Sequence, residues 1–259
     1  MVSTRTAAAR WLVVAIVLAI AGMSRAEEPD VTGTFSIVAC EPESGVCGAA
    51  VASKFPAVGQ VVPYVRAGVG AVCTQHWHRP EWGPKALDLL AHSKLPEEVL
   101  AELLRGDERP EKRQLAIIDI HGRCVNRNPY GADPSGIYWG GMTGRFYACQ
   151  GNTLAGRTVI TAMAEAYEET QGSLADRLMA ALVAGDRAGG DHRGRLAAGI
   201  RVAKPGVADC WLELQVDKSE DAVRELARKY ADLTHDAKGE WGRKTLIKKL
   251  QEGSPARPR

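Results

Sequence analysis

The sequence predicts an α+β domain in which helices pack outside antiparallel sheets. Two observations support this class. Short apolar runs separated by turn residues recur along the chain, as in hairpin-linked strands. Amphipathic helices come in pairs between these runs, so the order is strands, two helices, strands, two helices, strands and one helix. The periodicity alone leaves the number of sheets open.

The first part of the chain is predicted to form strands. Residues 34–40 make a first apolar run, and Pro42 and Gly45 in the next segment are turn signals. Residues 46–55 are small and apolar, which favours a returning strand. Residues 60–74 are rich in valine and predict two more strands, broken at 66–68.

Two helices follow, at 84–92 and 96–105. In the second, Pro96 suits a first helical turn and Gly106 suits a terminator. Its apolar residues recur at helical spacing and form one stripe: Val99, Leu100, Leu103 and Leu104.

The second half repeats the pattern. Strands are predicted at 114–120 and from 123, after a His121-Gly122 turn, and again at 145–150, 195–202 and 211–216. Helices are predicted at 158–170, at 174–184 with Gly185 as terminator, at 221–233 and, within the basic tail, at 241–250. Residues 128–144 are rich in Gly, Pro and aromatics and predict a loop that walls a site.

Composition narrows the function classes. The 259 residues are 45% hydrophobic and 25% charged, as in soluble globular proteins. The formal net charge of +2 is too small to indicate a nucleic-acid partner. The basic residues after 236 predict a solvated tail, with affinity for anionic envelope polymers as the alternative.

The N-terminus resembles an export signal. Arg5 and Arg10 precede an apolar run at 11–23, and Ser24 and Ala26 supply small residues at a peptidase site. The run is short for a bilayer span, although an uncleaved anchor is the alternative. We therefore predict a signal peptide at 1–26, a spacer at 27–33, one domain at 34–235 and a tail at 236–259, in a periplasmic or secreted protein without a stable membrane anchor.

Six cysteines all follow the predicted signal peptide, and an even number in an exported chain suggests disulfides. Cys40 and Cys47 flank a turn-like segment, so a bridge across a hairpin is one expectation. Burial as small hydrophobic residues is the alternative. No C-x-x-C pair occurs, which argues against a structural zinc site.

The Gly33-Thr34 dipeptide suggests that Thr34 is a catalytic nucleophile. A threonine hydroxyl needs an adjacent base, and the α-amine of an N-terminal threonine, with a pKa of about 8, can serve as that base. The bond after Gly33 must then be cut. Glycine suits that position because it tolerates strained backbone geometry. Alternatively, Thr34 is only the first residue of a strand.

Several segments together resemble the domain-of-unknown-function 1028 family, which is assigned to the N-terminal-nucleophile (Ntn) hydrolase superfamily. They are T-F-S-I-V-A, V-A-S-K-F-P-A-V-G, V-P-Y-V-R-A-G-V-G-A-V-C-T-Q, W-G-P-K-A-L-D-L-L, C-Q-G-N-T-L-A-G, A-G-G-D-H-R-G-R and L-Q-V-D. The resemblance implies an αββα four-layer sandwich with two stacked antiparallel sheets, and amide hydrolysis by Thr34. In the family this threonine usually follows the initiator Met, whereas here a leader and spacer precede it.

The superfamily logic suggests supporting residues. For catalysis it implies Lys54 beside the developing alkoxide, Gln150 and Asn152 as oxyanion donors, and Asp191 as an orienting group for Arg193 or the α-amine. For substrate binding it implies Ser53, Arg66, Thr74, Gln75 and Arg193. The alternative for Lys54 is a surface lysine, and the alternative for Arg66 is a structural salt bridge. For Gln150 and Asn152 the alternative is a turn-forming role.

The sequence therefore predicts an exported hydrolase of small-molecule amides, without a cofactor or metal, acting as a homodimer. A non-catalytic binding protein on the same fold, with Gly33–Thr34 uncut, is the second hypothesis. A zinc-dependent hydrolase is the third, because His76 and His78 have the H-x-H spacing of strand ligands, with Asp88 or His92 as further candidates.

Overall fold

The computed structural model describes residues 33–129 and 137–234. The predicted signal peptide, most of the spacer, the basic tail and its predicted helix lie outside these residues. Within the described ranges, the helices are too short or too polar to cross a membrane.

The described residues form ten strands and six α-helices. The strands are β1 Thr34–Glu41, β2 Val46–Ser53, β3 Pro63–Arg66, β4 Gly70–His76, β5 Arg113–Asp119, β6 Cys124–Arg127, β7 Tyr138–Gly144, β8 Tyr147–Leu154, β9 Ala197–Ala203 and β10 Leu212–Val216. The helices are α1 Val58–Val61, α2 Trp82–Ala91, α3 Pro96–Leu104, α4 Thr158–Glu169, α5 Leu174–Arg187 and α6 Ala222–Thr234.

The strands form two antiparallel sheets. The first has six strands in the order β10-β9-β2-β1-β8-β7, and the second has four in the order β3-β4-β5-β6. In the β1–β2 hairpin, Thr34 lies opposite Ser53 and Cys40 lies opposite Cys47. The predicted α+β class with antiparallel sheets is confirmed.

Alternation along β1 decides which side chains face the second sheet. Phe35 and Ile37 belong to a cluster with α4, α5 and α6, whereas Val38 and Cys40 belong to a cluster with β4 and β5. Because side chains alternate between the two faces of a strand, Thr34 lies on the same face as Val38 and Cys40. The first residue of β1 is therefore directed between the sheets.

A third cluster covers the other face of the four-stranded sheet. Val72 and Ile117 pack there against α2 and α3, through residues such as Trp82 and Val99. The four-stranded sheet thus packs on helices α2 and α3 through Val72 and Ile117, which belong to a different cluster from Ala71 and Ile118 of the same strands.

Three segments differ from the prediction. Residues 138–144 form β7 rather than loop, because Gly141 lets β7 lie close to Asn126, whose Nδ2 would be 2.7 Å from a Cβ there. Gly185 lies inside α5 rather than ending it, because a Cβ would be 2.6 Å from Met163 Cγ. Residues 58–61, part of which was predicted as strand, form the single turn α1, which follows a left-handed Ala57.

Candidate functional site

The ends of β1 and β2 place two hydroxyl groups beside one peptide bond. Thr34 Oγ1 donates to Ser53 Oγ at 3.1 Å. Ser53 Oγ donates to the carbonyl oxygen of Gly33 at 2.5 Å and accepts from the amide of Phe55. Ser53 therefore connects the Thr34 hydroxyl to the carbonyl of the Gly33–Thr34 bond, and both side chains are fully buried.

Gly33 lies against the side chains of Arg193 and Thr153. A Cβ on Gly33 would overlap the Thr153 hydroxyl and the Arg193 guanidinium, with Arg193 Cζ at only 2.5 Å. A larger residue at position 33 would therefore displace Thr153 or Arg193, and glycine avoids this overlap. Sequence reasoning had linked it to backbone strain instead.

Asp191 organises the residues around Gly33. Its carboxylate accepts from Arg193 Nε at 3.2 Å and Nη2 at 3.0 Å, and from the Arg193 backbone amide at 3.0 Å. It also accepts from the Lys54 backbone amide and from Thr153 Oγ1, each at 3.3 Å. The predicted orienting role of Asp191 thus has a geometric basis in its contacts with Arg193.

A layer of buried amide side chains lies below Thr34. Gln75 Nε2 donates to the Thr34 carbonyl at 3.3 Å and to Gln114 Oε1 at 2.8 Å. Gln75 Oε1 accepts from Ser36 Oγ at 2.6 Å, and Gln114 Nε2 donates to the Gly151 carbonyl. This network ties the start of β1 to β4, β5 and β8, so the position of Thr34 is fixed by both sheets.

The two residues proposed as oxyanion donors belong to this amide layer. Gln150 Nε2 donates to the Cys73 carbonyl at 3.2 Å and Ser36 Oγ at 3.4 Å, and Asn152 Nδ2 donates to Gln114 Oε1 at 2.7 Å. Their carbonyl oxygens are buried without a hydrogen-bond partner. The donor groups of this pair are thus engaged within the protein, whereas the hydrogen bond to the Gly33 carbonyl comes from Ser53.

Three other predicted residues do not point at Thr34. Arg66 forms an exposed ion pair with Asp88 at 2.8 Å, near the opposite end of β1, where Gly68 bonds the Gly45 carbonyl. Thr74 lies one residue before Gln75 and accepts from the Arg79 amide. The Lys54 side chain is exposed, and only its backbone amide is hydrogen-bonded to Asp191.

The two histidines of the zinc hypothesis have separate surroundings. His76 is buried, its Nδ1 lies 2.8 Å from the Lys112 carbonyl, and its ring packs on Trp139. The His78 ring packs near Phe55. Burial lowers the pKa of both imidazoles. In residues 33–129 and 137–234, no group of three or more His, Cys, Asp or Glu is arranged to hold a metal ion.

The six cysteines are free thiols, but Cys40 and Cys47 occupy facing positions. The Cys40 amide donates to the Phe146 carbonyl on the other neighbouring strand, so the Cys40–Cys47 pair is of the non-hydrogen-bonded type, in which side chains approach most closely. Burial raises the pKa of Cys40 to about 12 and that of Cys47 to about 11. In this state both thiols are inert.

A cavity lies at the far end of β1, away from Thr34. Its volume is about 390 Å³, and the β1–β2 turn, the β7–β8 turn and Arg177 line it. We call the residues around the Gly33–Thr34 bond, together with the buried amide layer, the Thr34 cluster. Because β1 has eight residues and rises roughly 3.3 Å per residue, the full length of this strand separates the cavity from the Thr34 cluster.

The sequence analysis did not predict three residues of the Thr34 cluster, namely Ser36, Gln114 and Thr153. Ser36 and Gln114 are polar residues within apolar strands, a signal that was available in the sequence. Thr153 has a left-handed backbone with φ of 51°, which the sequence did not indicate.

Comparison with known proteins covers most of the described residues. Residues 34–226 match the model of a family of unknown function, DUF1028. A crystal structure of protein SPO2555 from Silicibacter pomeroyi, described with the same family, is similar with a TM-score of 0.70 and 27% identity, covering 82% of this chain and 94% of that chain. No curated protein matches. Because the family model spans most of the chain and begins at Thr34, the protein belongs to the DUF1028 family.

Proposed function

We propose that the protein is an exported hydrolase of amide bonds whose nucleophile is Thr34, exposed by cleavage of the Gly33–Thr34 bond. One observation carries the proposal. The Thr34 hydroxyl, the Ser53 hydroxyl and the Gly33 carbonyl form a continuous hydrogen-bonded path across the bond that must break.

The packing of the domain supports an Ntn-type fold. Helical clusters cover one face of each sheet, and a third cluster joins the sheets. We therefore propose a four-layer order of helices, sheet, sheet and helices, with Thr34 at the end of a central strand and directed between the sheets.

The first step of the proposal is self-cleavage. Thr34 Oγ1 attacks the Gly33 carbonyl carbon while its proton passes to Ser53 Oγ, and the Ser53 proton passes to the carbonyl oxygen. When the C–N bond breaks, the Gly33 acyl group is esterified to Thr34 Oγ1 and the α-amine receives a proton. Water then hydrolyses the ester, which releases Gly33 as a carboxylate and leaves Thr34 first.

The second step is turnover of an amide substrate. The freed α-amine, with a pKa of about 8, takes the proton from Thr34 Oγ1 as the oxygen attacks a substrate carbonyl. Ser53 Oγ, already 2.5 Å from the Gly33 carbonyl oxygen, is the donor best situated for the developing oxyanion. The α-amine protonates the leaving amine, and water hydrolyses the acyl-enzyme.

N-terminal sequencing and intact mass of the exported protein test the proposal. The expected mature chain begins at Thr34 and hydrolyses a small amide. A chain that begins near Glu27 and stays so during prolonged incubation contradicts it.

That contrary result favours the second candidate, a non-catalytic binding protein. The complete burial of Thr34 and the engaged amides of Gln150 and Asn152 fit an uncut and inactive site, because they leave it closed to substrates. The ligand of such a protein would bind elsewhere on the domain.

A further inference from the structure

The position of Gly33 indicates which acyl groups a substrate can have, as well as where the chain would be cleaved. In self-cleavage, the acyl group transferred to Thr34 Oγ1 is the one that Gly33 supplies. In turnover, the same oxygen attacks a substrate carbonyl beside the same Ser53 hydroxyl. The substrate acyl group must therefore fit where Gly33 now lies.

The space beside Gly33 Cα is closed on the side where an L-amino acid carries its Cβ. A Cβ there would lie 2.5 Å from Arg193 Cζ and would overlap Arg193 Nη2 and Thr153 Oγ1. Carbon atoms in contact are normally about 3.5–4.0 Å apart. A Cβ at this position therefore requires Thr153 or Arg193 to move.

The two groups that close this space are held in place. Thr153 Oγ1 donates to its neighbouring Asn152 carbonyl at 2.7 Å, and its residue is only 6% exposed. Arg193 is paired with Asp191 through two nitrogens, and the Asp191 side chain is fully buried. The Arg193 side chain is 33% exposed, but to move aside it would have to leave Asp191, a charged partner that is out of contact with water. Thr153 is therefore the more rigid of the two groups.

We propose, on the basis of the proposed function, that the protein hydrolyses amides of glycyl-type acyl groups, in which a CH₂ stands next to the scissile carbonyl. Amides of L-amino acyl groups with a Cβ are rejected at the same position. The specificity-determining residues are Thr153 and Arg193, which form the wall beside this carbon.

The test uses the processed protein and two chromogenic substrates, N-acetylglycyl p-nitroanilide and N-acetyl-L-alanyl p-nitroanilide. The expected kcat/KM is about 100-fold or more in favour of the glycyl compound, which is near the upper range for one methyl group in a pocket and fits a rigid wall. In Thr153→Ala the preference falls at least about tenfold, because one of the two overlapping groups is removed.

Thr143→Ala is the matched control, since Thr143 is exposed on β7 and keeps the wild-type preference. Equal rates for the two anilides, or a preference for the alanyl compound, overturn the inference about specificity. Either result still supports the proposed amide hydrolysis. A chain that begins at Thr34 and hydrolyses neither compound overturns the inference and counts against the proposed function as well.

Discussion

The hydroxyl of Thr34 donates to the hydroxyl of Ser53 across 3.1 Å, at the open ends of two paired strands. The same Ser53 oxygen donates to the Gly33 carbonyl. This arrangement joins the proposed nucleophile, the proposed proton relay and the carbonyl of the bond proposed to be cut in one hydrogen-bonded path, and a single substitution can remove each part.

Replacement of the nucleophile should separate processing from folding. Thr34→Ala removes the attacking oxygen, so we expect a chain that keeps the Gly33–Thr34 bond and shows no turnover. Stability should fall by only about 1 kcal/mol, the net value of one hydrogen bond. Thr34→Ser keeps the hydroxyl and should still be cleaved. Intact mass and thermal unfolding measure both effects, and amidase activity in the alanine variant would point to another nucleophile.

Ser53→Ala tests the relay. Loss of a donor aimed at a developing oxyanion typically costs 10²–10³-fold in rate, so we expect cleavage at Gly33–Thr34 to slow by about this factor. Thr170→Ala is a suitable control, because Thr170 is also a buried hydroxyl residue but follows α4, outside the network around Thr34. Cleavage time courses by mass should separate the two variants; equal slowing would assign Ser53 a structural role.

Part of this site was predictable and part was not. The cluster contains six of the predicted residues, namely Gly33, Thr34, Ser53, Gln75, Asp191 and Arg193. They meet there because β1 begins, β2 and β4 approach their ends and the segment before β9 passes at this place. The role of Thr153 was not predictable, because it depends on a left-handed backbone and on contacts with Gly33, 120 positions away. Arg66 also lies in a valine-rich strand, β3. This strand ends near the far end of β1, so Arg66 lies away from Thr34.

The fold was predictable where periodicity was strong. Helices α2 to α6 fall within a few residues of the expected ranges, because their apolar stripes are continuous. Strand β7 was missed because its glycines look like turn residues. In the structure they allow close packing against β6, a tertiary contact that local sequence does not report.

Asp191→Asn should lower stability substantially. The Asp191 side chain is fully buried, whereas the Arg193 side chain is 33% exposed, so the charge left behind is partly solvated. We expect a loss of about 2 kcal/mol, the typical value of a hydrogen bond to a charged group. Asp88→Asn removes an exposed pair with Arg66 and should cost less than about 1 kcal/mol. Urea unfolding of both variants compares the two sites, and similar losses would mean that the Asp191 contacts are not stabilising.

Stability should fall in mildly acidic solution because of His76. Burial lowers its pKa, and the positive charges of Lys112, Arg193 and Arg113 add to the effect, against the hydrogen bond to the Lys112 carbonyl. The unfolded chain then binds more protons below about pH 6.5, so the free energy of unfolding decreases as pH falls through that value. His76→Gln should flatten this dependence in urea titrations between about pH 5 and 7.5; an unchanged slope would contradict the prediction.

Cys40 and Cys47 should form a disulfide when the reduced chain refolds with oxidised glutathione. In this exchange the two cysteine thiols lose their hydrogens and form the new S–S bond. One oxidised glutathione is reduced to two glutathione thiols. We expect a mass loss of two hydrogen atoms and a gain of about 2 kcal/mol from closing a short loop. The folded, reduced protein should resist the same reagent, because both thiols are buried with raised pKa values.

Cys149→Ala provides the control for this experiment, because Cys149 is buried in a different cluster and its loss should leave the Cys40–Cys47 bond intact. Cys47→Ala should abolish the mass loss. Six titratable thiols in the refolded wild-type protein would exclude the bond.

The placement of β1 between β2 and β8 also bears on timing during synthesis. Thr34 emerges from the ribosome early, but the strand that flanks it and the Asp191-Arg193 pair are more than a hundred residues downstream. If the Gly33–Thr34 bond is cut as proposed, a nascent chain already contains Ser53 but lacks β8 and the Asp191 and Arg193 contacts around Gly33 until nearly the whole domain has been made. The cut would thus be delayed until folding is complete, and the protein would carry its own safeguard against premature activity.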